Sequence, residues 1–373
     1  MLVNPFALAS FLLGAFVLAG CTPSASKFPD KDPALLSGWS LMSRQNDQLV
    51  LHDDVHPYLL NATLFTDYAH KLRTVTVPEG HSATSNPDGS LSFPVGSIIS
   101  KTFYYPNADS GVLQVDDDGS LFNTDVGTKG GLDLTKVRLL ETRLLVHRQS
   151  GWVALPYVWN DEQTEATLEA TGDIKSLKLV HGLENRSFPY IVPDQNQCAG
   201  CHGTNTASKS VNPIGPKVAN LNRNGYHDNQ NQLDFWQIDG LLEMKSKPEQ
   251  AMKAWQDASN ALEDRARSYL DINCGHCHNE QGPADTSGLY LDMATKHKMR
   301  LGECKPPISA GQGTGGNKFS IVPGKPEESI LIYRMTSLDP GAMMPELGRS
   351  LVHDEGVALI SDWISGMEGN CNN

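Results

Sequence analysis

The sequence predicts a multidomain protein in which an N-terminal all-β, sandwich-like domain is followed by two all-α units. Three observations carry this reading. Between residues 22 and about 185, turn signals such as Asn86-Pro87-Asp88-Gly89-Ser90 separate runs rich in β formers. Beyond residue 186, apolar residues recur at helical spacing. Among those predicted helices stand two copies of one motif, Cys198-Ala199-Gly200-Cys201-His202 and Cys274-Gly275-His276-Cys277-His278.

The first twenty residues hold no charged side chain, and the apolar run from Phe6 to Ala19 is shorter than the ~18 residues that span a bilayer comfortably. This predicts an export signal over 1–20. It ends in Leu18-Ala19-Gly20-Cys21, which resembles the bacterial lipobox, so Cys21 is the expected site of lipid attachment. Thr22 follows where aspartate would hold a lipoprotein at the inner membrane, and the pattern then implies an exported, periplasmic chain anchored in the outer membrane. No Lys or Arg precedes the apolar run, which departs from the pattern. An uncleaved anchor helix is the alternative.

With 373 residues there is room for two or three domains, and a formal charge of −13 argues against nucleic acid as a partner, since phosphates would be repelled. In the domain expected over 21–185, the runs 97–105, 136–147 and 152–159 read as strands. Trp152, Ala154 and Val158 alternate with Val153, Leu155, Tyr157 and Trp159, the pattern of a strand with both faces partly covered. The Asp-rich stretch 115–120 lacks the glycine position of a calcium loop and reads as a turn. His70 and His147 read as surface or core residues.

In an exporting context, two C-x-x-C-H motifs point away from zinc ribbons and redox dithiols and towards covalent haem attachment of the c type. The chemistry explains the spacing. Cys198 and Cys201, or Cys274 and Cys277, add across the two vinyl groups of a haem, and the adjacent His202 or His278 can then bind its iron. Two haem c groups are therefore expected, one in a unit over 186–258 and one in a unit over 259–373.

Leu262, Ala266, Tyr269 and Leu270 form one stripe of a helix leading into the second motif. Val357, Ile360 and Ile364, with Leu359, Trp363 and Met367 beside them, predict a last helix. Between the two lies a Pro-flanked loop containing Met343 and Met344. This order resembles the small monohaem cytochrome c domain, in which Met344 matches the position of the second iron ligand; neighbouring Met343 is the alternative. By weaker analogy Met244 takes that place in the first unit, with His227 or an open position as alternatives. Seven cysteines less one for lipid and four for haem leave Cys304 and Cys371, which in an oxidising compartment predicts a disulfide. It would close a chain separation of 67 residues (371 − 304) and stabilise by roughly 4 kcal/mol if unstrained.

The stretches at 64–73, 141–168, 193–202, 269–278 and 321–349 together resemble a bacterial family of dihaem c-type cytochromes with an N-terminal β-rich region. The resemblance covers nearly all of the chain beyond the leader and implies architecture more than chemistry. The expected activity is one-electron transfer at two irons, with a redox protein as partner and the membrane reached through the lipid. A dihaem peroxidase or oxidase with an open first iron is the alternative. The two motifs lie only 76 residues apart (274 − 198), which favours the carrier.

Overall fold

A computed structural model describes residues 1, 29, 31–203, 210–226, 230–309 and 311–371. Its centre is a nine-stranded sheet curled into a half-barrel. Strands His70–Thr76, Ile98–Ala108, Val137–Arg148 and Gly151–Trp159 lie antiparallel side by side. The expected strand runs match the last three of these. A register shift between Leu139 and Glu141 bends the sheet, as an extra residue in one strand does. The end of Ile98–Ala108 pairs with Gly111–Leu113, which runs parallel to Asp173–His181, itself paired with Glu184–Val192.

Alternation sorts the side chains of these strands onto two faces. Leu72, Ile98, Tyr104, Leu144, Leu155 and Tyr157 point to one face and share a core with Leu49, Leu51, Phe122 and Leu132 of a second, four-stranded sheet. The two sheets share this core, but with the large one curled into a half-barrel the expected sandwich-like domain is not what forms. Within that core the Trp39 indole donates to Tyr157 Oη at 2.7 Å, and that hydroxyl donates to Pro33 O at 2.7 Å.

The other face of the large sheet overturns the expected fold class. Strand exceeds helix, at 29% against 21% of residues, and among the described residues two all-α cytochrome c domains are not evident. Around the first motif the helices are Gln195–His202, Val218–Leu221 and Gln232–Ile238, each eight residues or fewer. Helices this short cannot enclose a core of their own. Val218, Leu221, Leu233 and Trp236 are instead buried with Tyr58, Val75 and Ile99 of the β region. Leu242–Glu243 even adds a parallel strand to Ala83–Ser85. Apolar spacing beyond residue 186 implied helices, but spacing does not say that a sheet will cover them. The strand Glu184–Val192 also runs through the expected boundary at 185/186.

Around the second motif, helices Leu262–Leu270, Ile330–Thr336 and Asp354–Ser365 gather a cluster from Ala266, Tyr269, Leu270, Leu331, Ile360, Trp363 and Ile364. Ala62 of the β region lies in the same cluster, and the segment 62–68 ties the two parts together. Asn220 clamps Ala62 with bonds of 2.8 and 3.0 Å to its N–H and carbonyl. The Phe65 N–H donates to Asn273 Oδ1 at 2.8 Å. The buried Asp67 carboxylate accepts the N–H groups of Ser350 and Leu351, both at 2.7 Å. Cys304 and Cys371 are joined as a disulfide with Cα atoms 5.2 Å apart. The leader and Cys21 lie outside the described residues, and among those described no helix is long and apolar enough to cross a membrane.

Candidate functional site

The second motif sits where a helix changes pitch. Leu262–Leu270 passes directly into a π-helical turn, Asp271–Gly275, which carries Cys274; such turns are frequent at functional sites. Asp271 fixes the turn from inside. It is 3% exposed, accepts the Met293 N–H at 2.9 Å and pairs with Lys217 Nζ at 3.1 Å. The turn and the loop before the last helix enclose a cavity of about 330 Å³. Cys274, Cys277, His278 and Met344 all line it, with Leu289, Leu291, Ile330, Leu331 and Met335 among its apolar walls. Met343 is buried beside Met344 but is not part of that lining.

The histidines are set as metal ligands are. His278 Nδ1 lies 3.3 Å from Leu289 O, and His202 Nδ1 lies 2.7 Å from Asn212 O. A carbonyl only accepts, so each Nδ1 carries the proton and each Nε2 keeps its lone pair. Burial holds both imidazoles down to about 4, His202 with help from the Lys101 charge, so both are neutral at pH 7. Burial likewise pushes the Cys274 thiol up to about 12.

The first motif closes the helix Gln195–His202. Asp194 starts that helix with a capping box: its side chain accepts the Gln197 N–H while the Gln197 side chain accepts the Asp194 N–H. The helix rests on the strand Gly151–Trp159, where Gln195 Nε2 donates to Ala154 O and Val211 bridges to Trp152. Beneath it the sheet carries a row of like charges. Arg73 is directly opposite Lys101, and Lys101 is directly opposite Arg143. Glu141 grips Arg143 with bonds of 2.6 and 2.7 Å and accepts the Tyr190 hydroxyl at 2.7 Å. Like charges facing each other across strands repel. Burial, with Arg73 and Arg143 alongside, pushes the Lys101 ammonium down to about 7.

Compared with known proteins, the chain matches no family model, no curated protein and no solved structure. Its site is therefore read from its own residues.

The structure brings the two motifs together. The ligand atoms of Cys201, His276 and Cys277 all lie within 4.8 Å of one another. A hydrogen bond from the Cys277 thiol, with His276 and His202 beside it, holds the Cys201 thiol below its ordinary value and raises Cys277. Met244 lies elsewhere, against the cluster that holds Trp236 and Leu242, and is not in the cavity lining. His227 lies outside the described residues. His70 is buried with Nε2 on Val115 O, and His147 stacks on Trp152, so both are satisfied within the β region. His276 went unremarked in the sequence because it is only a spacer of the motif. The charged row went unremarked because its members lie 28 and 42 residues apart (101 − 73 and 143 − 101) and meet only through strand pairing.

A c-type haem fits the second motif by its donor set. Two thiols, an imidazole with a free Nε2 and a thioether share one apolar cavity. The first motif supplies two thiols and an imidazole, of which Cys201 lines that same cavity.

Proposed function

We propose that this protein is a dihaem c-type electron-transfer protein of the cell envelope. One observation carries the reading: Cys274, Cys277, His278 and Met344 line a single apolar cavity. When bound, such groups supply reversible one-electron chemistry at iron. The chain's own residues would do the rest. Cys274 and Cys277 would hold one haem covalently, with His278 and Met344 as the residues that would ligate its iron. Cys198, Cys201 and His202 would hold the other. Leu289, Leu291 and Ile330 would keep water from the second iron, and the row Arg73, Lys101 and Arg143 would offer counter-charge to haem carboxylates. Lipid on Cys21 would tether the chain to the outer membrane and present it to a redox protein.

The test is to make the full chain in a host that attaches haem c and measure haem that stays bound after denaturation. Two per chain are expected. A chain that carries no haem but one tightly held zinc per molecule would overturn the proposal in favour of a second reading, which the Cys201, His276 and Cys277 cluster supports: a soft divalent metal on two thiolates and an imidazole.

A further inference from the structure

Among the pieces of chain that wall the cavity are the turn that carries Cys274 and the loop from Met344 to Arg349. Arg349 closes that loop from within. Its residue is 6% exposed, and its guanidinium donates to four carbonyls: Nε to Met344 O at 3.1 Å, Nη1 to Leu351 O at 3.2 Å, and Nη2 to Arg334 O at 3.1 Å and to Ser337 O at 2.8 Å. The Met344 N–H donates to the same Arg334 carbonyl at 2.9 Å. Both backbone polar groups of Met344 are therefore held, one by the helix Ile330–Thr336 and the other by Arg349. A cation suits the end of a helix, where carbonyls lack partners.

The β region grips the residues that follow. Asp67 Oδ1 accepts the N–H groups of Ser350 and Leu351, both at 2.7 Å. Two residues earlier, the Phe65 N–H donates to Asn273 Oδ1 at 2.8 Å, next in sequence to Cys274, while Phe65 itself lines the cavity and stacks on His353 with ring centres 4.1 Å apart. One short segment thus joins the thiol-bearing turn to the methionine loop.

We propose that Arg349 and Asp67 are positioning residues for Met344, through which the β region sets how firmly the thioether is held to the second iron. The proposal rests on the haem reading and adds a task for the β region. A thioether is a weak, neutral donor, so its place on a metal depends on the outer partners that keep it there against competitors. The fork of Arg349 suits that task, because its planar donors reach several carbonyls at once where a lysine ammonium acts as a point.

The experiment uses the full chain in two variants. Arg349→Lys keeps the charge and loses the fork; Asp67→Gly keeps the left-handed backbone at that position (φ 46°) and loses the carboxylate. Trp39→Phe, which removes a hydrogen bond from the core between the two sheets, controls for lost stability. Amide hydrogen exchange, measured with or without haem, should speed up at Met344 in both variants and not in the control. In the loaded chain, imidazole should displace the thioether, seen as loss of a sulfur-to-iron band, at concentrations roughly tenfold lower in both variants than in the parent or the control, the scale of one lost hydrogen bond to a charged group. Faster exchange confined to Ser350 and Leu351, or an imidazole midpoint no lower than that of Trp39→Phe, would overturn the proposal. A chain that carries no haem ends the reading beneath it, and exchange at Met344 then decides the clamp alone.

Discussion

At the scale of single residues, Met344 is the most exposed to test. It lies in the cavity with His278, whereas adjacent Met343 does not. Met344→Ala should abolish a far-red sulfur-to-iron charge-transfer band in the oxidised protein and lower the potential of one centre. An unchanged spectrum would reassign the ligand. Asp67 gives a second test. Burial pushes its carboxyl up to about 6, against the pull of the Ser350 and Leu351 N–H groups. Its folded value lies above the unfolded one, so the folded state binds the proton more tightly. The stability this contributes is present below about pH 4 and is lost as pH rises through about 6, an effect on the order of 3 kcal/mol. In Asp67→Asn that slope should vanish, so the difference in unfolding free energy between the two proteins should change between pH 4 and 6. A constant difference, measured in denaturant, would count against it. The cysteine and histidine positions were legible in the sequence because attachment chemistry needs a fixed spacing. Asp67 was not, because its partners lie 283 and 284 residues away.

At the scale of elements, the last helix meets the helix of the second motif without room to spare. A Cβ added to Gly356 would stand 2.2 Å from Tyr269 Oη and 2.7 Å from His353 Nδ1, two atoms that hydrogen-bond each other at 2.9 Å. Gly356→Ala should gain about 1 kcal/mol from helix propensity and lose about 1–3 kcal/mol to overpacking. Overpacking wins here because both obstructing side chains are buried and Tyr269 and His353 also line the cavity that holds His278 and Met344. The denaturant midpoint should therefore fall; a rise would mean that the two helices can part freely. The strands between 98 and 159 and the helices flanking the second motif were legible because their periodicities are long enough to read. The unit expected around the first motif was misassigned to a core of its own. Four to eight residues carry a period without saying which neighbour will bury it.

At the scale of the whole molecule, the large sheet has two different coverings, and the sequence announced only one. On one side it meets a second sheet, as β alternation implied. On the other it supports the segments around the first motif, along with the row Arg73, Lys101 and Arg143. Packing made of contacts this remote leaves no local trace. Cleavage should reflect this arrangement. Limited proteolysis of the folded protein is expected to yield no stable all-α fragment beginning near residue 186, because Val218, Leu221 and Trp236 would lose their cover. A soluble, helical 186–258 fragment would contradict that.

The segment 62–68 has a consequence in time. It is made early, but its partners Asn220, Asn273, Ser350 and Leu351 come 158 to 284 residues later. Contacts this distant form slowly and only once both ends are present. During synthesis the clasp therefore stays open until almost the whole chain has emerged, and the motif thiols stay open with it. Under the proposed function, that interval is when haem would be attached. A chain stalled before Ser350 should leave Cys198, Cys201, Cys274 and Cys277 all quickly alkylated, and release of the final residues should slow Cys274 most, since it is the thiol that folding buries beneath the last helix to arrive.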